Sequence, residues 1–132
     1  MPPSENSAPD AAAGQGLAVA AESLFLANLL VAPGLAFLAL AWLRSRHRDA
    51  PPLARRHLDQ AFFVSLWGGA LLVVASALFI AFGGLAWEWT WVVVILYFTT
   101  VHSTLILFGA LGLAKAMAGK SYVYPLIGPR GE

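Results

Sequence analysis

Three long runs almost free of charge limit what this chain can fold into. They are "SLFLANLLVAPGLAFLALAWL" (Ser23 to Leu43), "AFFVSLWGGALLVVASALFIAF" (Ala61 to Phe82) and "WVVVILYFTTVHSTLILFGALGLA" (Trp91 to Ala114). A hydrocarbon core about 30 Å thick takes roughly 20 apolar residues of helix to cross, and each run is long enough. Only 11% of the 132 residues are charged and 59% are hydrophobic, whereas a soluble domain carries about a quarter charged residues. Too little polar sequence remains to cover three such runs with a water-facing shell. The expectation is an all-α membrane protein with three transmembrane helices, over about 23–43, 61–82 and 91–114.

The bases orient it. All eight lie in two segments: Arg44, Arg46, Arg48, Arg55 and Arg56 after the first run, and Lys115, Lys120 and Arg130 after the third. Lys and Arg stay on the cytoplasmic side of a membrane. Three spans then predict the N-terminus outside, a basic first loop inside, a short outer turn and a cytoplasmic C-terminus. The domain plan is a disordered tail over 1–20, a transmembrane domain over 21–118 and a cytoplasmic tail over 119–132. The opening "MPPSENSAPDAAAGQG" has Glu5 and Asp10 but no base, so it lacks the basic leader of a signal peptide.

Local signals refine the plan. Asp49 and "APP" mark a helix start, since proline is tolerated in the first turn, and nothing breaks the helix from Pro52 to Gly83. Arg55 and Asp59 are spaced to pair on its surface. Trp87, Trp89 and Trp91 suit the aromatic belt at the outer interface. Gly119 ends the last helix. Ala110, Ala114 and Ala118 form a ladder of small residues, as do Ser65 and Gly69. Such ladders let helix backbones approach, within the chain, in a homo-oligomer or in a larger membrane complex.

The chemistry is sparse. With no cysteine, disulfides, thiolate catalysis and zinc–thiolate sites are excluded, and the net charge of +1 gives no reason to expect nucleic acid. His102 stands in mid-membrane, about 17 Å along the helix from Trp91. A bis-histidine haem would need a second ligand at that depth, and His47 and His57 lie at the inner boundary, so one chain cannot supply the pair. A haem shared between two copies stays open. A proton relay would need carboxylates in the spans, but Glu22 and Glu88 read as outer-boundary residues and Asp59 as an inner one. No serine–histidine–acid set, metal cluster or phosphate loop is present, so no catalytic residue, metal or cofactor is expected. Thr99, His102 and Ser103 share a helical face. Pro33 lacks an amide hydrogen and frees the carbonyl of Leu29, beside Asn28. The polar face of the third helix is expected to pack there through an interhelical hydrogen bond.

Two inner-face segments resemble a known pattern. "HLDQAF" carries a His-x-x-Gln-Ala element at the entry to the second span, and "AKAMAGKSYVYPL" ends the last helix through Lys-Ala, then Gly, then Tyr-x-Tyr-Pro. Both are similar to a family of small bacterial membrane proteins of unknown function. That family is related to the membrane subunit of the chloroplast inner-envelope protein-import translocon, the Tic complex. The matched positions are His57, Gln60, Ala61, Lys115, Ala116, Gly119, Tyr122, Tyr124 and Pro125. The resemblance implies a multi-pass protein of the bacterial inner membrane. It points to His57, Gln60, Lys115, Gly119, Tyr122, Tyr124 and Pro125 as a clasp, structural or partner-binding, where the last helix ends. The function expected is that of a non-catalytic accessory or assembly subunit in the lipid bilayer. The alternative is an oligomeric, Tic-like channel or transport component.

Overall fold

The computed structural model describes residues 7–130, with side chains from residue 14 onward. Four helices account for its regular structure: α1 (Ser7–Leu30), α2 (Leu35–Arg46), α3 (Pro52–Gly83) and α4 (Glu88–Met117). Two of them, α3 and α4, are long and apolar enough to cross a membrane.

The first apolar run is not one rod. Val31 and Ala32 both donate to the carbonyl of Ala27, Pro33 has no N–H to give, and Gly34 turns the chain at φ 85°. That positive φ costs glycine little and any other residue a steric clash. Asn28 Oδ1 accepts from Gly34 N at 2.9 Å, satisfying a donor at the break. Beyond it α2 restarts in the reverse direction.

Contacts fix that direction. Gln15 Nε2 donates to the carbonyl of Met117, the last residue of α4. Further along α1, Glu22 lies against Gly112 and Phe25 against Gly109, and the Leu29 carbonyl meets His102. So α1 climbs antiparallel to α4 and stops halfway up it. On α2, Phe37 stacks on Phe62 of α3 at 5.4 Å, and Arg44 pairs with Asp59 one turn lower at 2.8 Å. So α2 descends again, and α1–α2 is a hairpin whose two open ends lie at one end of the molecule.

This corrects three expectations. The segment 23–43 does not form one span. Residue 14 lies against Pro51, at the basic end, not at the opposite end from Lys120. The tail expected over 1–20 is helical from Ser7, and Ala18 within it is buried. Residues 1–6 lie outside the described residues. Asp59 pairs with Arg44 rather than with Arg55, because the returning α2 brings a guanidinium to it.

The unbroken helix expected from Pro52 to Gly83 is present, with one widened turn over Ala70–Val74 after the Gly68–Gly69 pair. Such π turns interrupt the regular hydrogen-bond ladder, and here Tyr97 Oη donates to the Leu71 carbonyl at 2.7 Å. Gly84, at φ 82°, ends α3, and Trp91 Nε1 closes the turn onto Leu85 O at 3.0 Å.

The core lies in the basic half. Ala21, Phe25, Leu40, Leu58, Ala61, Val64, Leu105 and Tyr124 bury one another there. Close approach of α1 to α4 depends on Gly109 and Gly112. A Cβ at Gly109 would sit 2.7 Å from Leu26 Cδ2, and one at Gly112 would sit 2.7 Å from Glu22 Oε2. The expected ladder of Ala110, Ala114 and Ala118 is exposed on the other face; Gly109, Gly112 and Ala116 are the small residues that α4 buries.

Candidate functional site

Where α4 ends, the backbone makes a paired cap. Gly119, at φ 68°, donates to Ala116 O at 3.0 Å, and Lys120 N donates to Lys115 O at 2.8 Å. This is the Schellman arrangement, in which a left-handed glycine satisfies the last carbonyls. It sends the chain back over the basic end, where Tyr124 is buried against Phe25 with ring centroids 5.2 Å apart.

His57, on the second turn of α3, is fully buried between two acceptors. Its Nε2 donates to the Lys120 carbonyl at 2.8 Å, and its Nδ1 lies 2.6 Å from Glu22 Oε1. A carbonyl cannot donate, so Nε2 carries a hydrogen. The other Glu22 oxygen accepts from the Tyr124 hydroxyl. Glu22 is itself fully buried, so an ionised carboxylate there requires a charged partner, and a doubly protonated His57 supplies it. Glu22, His57 and Tyr124 form one buried, charge-assisted unit.

One turn along, Gln60 holds the C-terminal segment at two points. Its Oε1 accepts from Tyr124 N at 3.1 Å, and its Nε2 donates to the Pro129 carbonyl. Between them Pro125 O accepts from Ile127 N at 2.8 Å and Tyr124 O accepts from Gly128 N at 3.1 Å. Gly128 is required sterically, since a Cβ there would lie 2.7 Å from both Tyr124 N and Tyr124 O. Burial, with the Glu22 charge second, pushes the Tyr124 phenol far above its ordinary value. The same two causes raise Tyr122, whose hydroxyl is buried with no partner among the described residues.

The structure thus brings together His57, Gln60, Tyr122, Tyr124 and the Gly119–Lys120 backbone. Pro125 opens the turn over Gln60 and is itself exposed. The Lys115 side chain is exposed, and only its carbonyl takes part. Glu22 is the member sequence reasoning missed. It was placed at the outer boundary because α1 was read as the start of a straight span; the signal for the alternative was the Pro33–Gly34 pair, a strong turn marker.

The mid-depth polar group is separate. His102 Nε2 lies 3.0 Å from the Leu29 carbonyl, beside the Asn28-capped break at Pro33. Of its expected companions, Thr99 and Ser103 are exposed, so the shared polar face does not pack on α1. Below the break is an apolar groove of about 410 Å³, lined by Leu29, Phe37, Ser65, Leu66, Leu72 and Phe98 among others. Among the described residues, no three of His, Cys, Asp or Glu converge as a metal site requires. Enclosed and internally satisfied, the Glu22–His57–Tyr124 unit offers no open face to a substrate. Its evident capacity is to tie three chain segments together.

No curated protein and no solved structure matches the chain. The relationship to the chloroplast translocon finds no support in these comparisons, and the family that matches is a different one. The model of the magnetosome magnetite crystal formation protein family matches residues 15–130, nearly all of the described molecule, and the chain belongs to that family.

Proposed function

We propose that this protein is a non-catalytic integral membrane protein of magnetosome formation, acting as a small accessory or assembly subunit. It sits with its basic end in the cytosol, and the hairpin α1–α2 enters the bilayer from that side without crossing it. The observation that carries the reading is the segregation of the surface. Every base lies at one end, while α3 and α4 expose apolar side chains along the rest of their length. Cationic residues held at one membrane face report the cytosolic side. The family match supplies the process, and the buried clasp supplies a reason for the shared His57, Gln60 and Tyr-x-Tyr-Pro positions: they hold the C-terminal segment against α1 and α3.

Transport has no observation in its favour. The Thr100 and Thr104 hydroxyls bond their own helix at 2.7 Å, and no polar path continues from His102. The test is deletion of the gene in magnetosome-forming cells. Magnetite crystals are then measured by electron microscopy, and partners are sought by copurification in mild detergent. Altered crystal size or number, restored by the intact gene, is the expected result. Crystals indistinguishable from the parent strain's would sink the assignment to this process.

A further inference from the structure

The hairpin makes the molecule's two halves unequal. In the basic half four helices stand side by side, because α1 packs on α4 from Gly112 to His102 and α2 packs on α3 from Asp59 to Phe62. His102 lies about 21 Å from the start of α4 and about 22 Å from its end, at 1.5 Å per residue. The hairpin therefore turns round near the middle of the bilayer. Beyond it only the second half of α3 and the first half of α4 continue, packed on each other through Phe79 and Tyr97, with ring centroids 5.1 Å apart. The Ala75–Gly83 stretch buries no residue at all.

The tip of the hairpin is built for hydrocarbon. Leu30, Val31 and Leu35 are 58%, 80% and 73% exposed, and no charged residue lies between Ser23 and Leu43. A tip of this kind at mid-depth sits on acyl chains of the far leaflet, not on water. With each helix about 10–12 Å across, the protein displaces roughly twice the area in the leaflet on its basic side that it displaces in the other. The shape is a wedge, broad end basic.

We propose that this wedge gives the protein a preference for curved membrane whose convex leaflet faces the basic end, so that its partner is the bent lipid surface itself. In a cell the broad end would face the cytosol, and the favoured membrane would be a small vesicle or bud pointing inward with its outer surface cytosolic. The inference rests on the membrane reading above, but not on the cellular process.

The chain supplies its own orientation assay, because trypsin cuts after Lys and Arg and all eight lie at the broad end. The full protein is reconstituted from detergent, under identical conditions, into small sonicated vesicles and into large extruded ones of the same phosphatidylcholine–phosphatidylglycerol mixture. Alkaline carbonate extraction first scores integration, and trypsin is then added to the intact vesicles. The expected result is a several-fold higher ratio of cleaved to protected chains in the small vesicles than in the large ones. An equal ratio in firmly integrated protein would overturn the wedge and leave the membrane reading standing. Protein stripped off by carbonate would overturn both. A single-cysteine Leu30→Cys variant that crosslinks efficiently to a second copy in the large vesicles would also overturn the wedge, since that copy would then fill the space under the hairpin.

Discussion

Glu22 is the residue on which the basic end turns. Its carboxylate meets both the His57 ring and the Tyr124 hydroxyl in a site sealed from solvent. Removing one partner of a buried ion pair typically costs about 3–5 kcal/mol, whereas replacing both with apolar groups is often nearly neutral. Glu22→Leu and His57→Leu should therefore each destabilise the fold by several kcal/mol. The double variant should lose clearly less than their sum, read as unfolding midpoints in mild detergent. Additive losses would mean that the two side chains act independently. Tyr124 gives a pH signature. Its folded pKa is raised above an unfolded value of about 10, so the folded state holds the phenolic proton more tightly. That stability is complete below about pH 10 and is lost as the pH climbs further. Phenolate absorbance from Tyr124 should thus appear only together with loss of structure. Tyr124→Phe should remove that contribution to alkaline unfolding while weakening the fold at neutral pH. Of this cluster, His57, Gln60, Tyr122 and Tyr124 were legible in the sequence as a recurring pattern. Glu22 was not, because the depth of a residue on a helix follows from which way the helix runs.

At the scale of elements, α3 and α4 could be read from apolar length, the proline-led start at Pro52 and the glycine stop at Gly119. The first run could not, because two physical rules compete there. Proline in a membrane helix is tolerated as a kink when neighbouring groups satisfy the freed carbonyl, which favours a single bent span. Proline followed by glycine equally marks a turn. The turn prevails because Gly34 takes a positive φ and Asn28 caps its amide. The Leu29 carbonyl was foreseen as the partner of His102, and the two lie at hydrogen-bond distance, yet the same contact is made by a hairpin and not by a kinked rod. Alanine at a left-handed position costs roughly 1–2 kcal/mol. Gly34→Ala and Gly119→Ala should each lose about that much stability, while Gly16→Ala, in open space on α1, should be neutral or slightly stabilising. Equal thermal midpoints for all three would show that neither turn constrains the fold.

For the whole molecule, the hairpin decides which parts of the chain share a side of the membrane. A straight first span would put Gln15 and Glu88 on one side and Lys120 on the other. The hairpin puts Gln15 beside Met117 and Lys120, through the Gln15 amide on the Met117 carbonyl, and leaves Glu88 alone at the far end of α4. The chain contains no cysteine, so single introduced thiols report position without background. In intact cells, Gln15→Cys and Lys120→Cys should both be shielded from a membrane-impermeant maleimide and should label only after the membrane is opened, while Glu88→Cys should be the one site open to the far side. In sealed vesicles of a single orientation, the same pair should label together and Glu88→Cys in the opposite sense. Gln15→Cys labelling with Glu88→Cys instead would restore the straight span. It would separate Glu22 from His57 by the thickness of the bilayer and remove the wedge and the clasp together, since both depend on α1 turning back before it crosses.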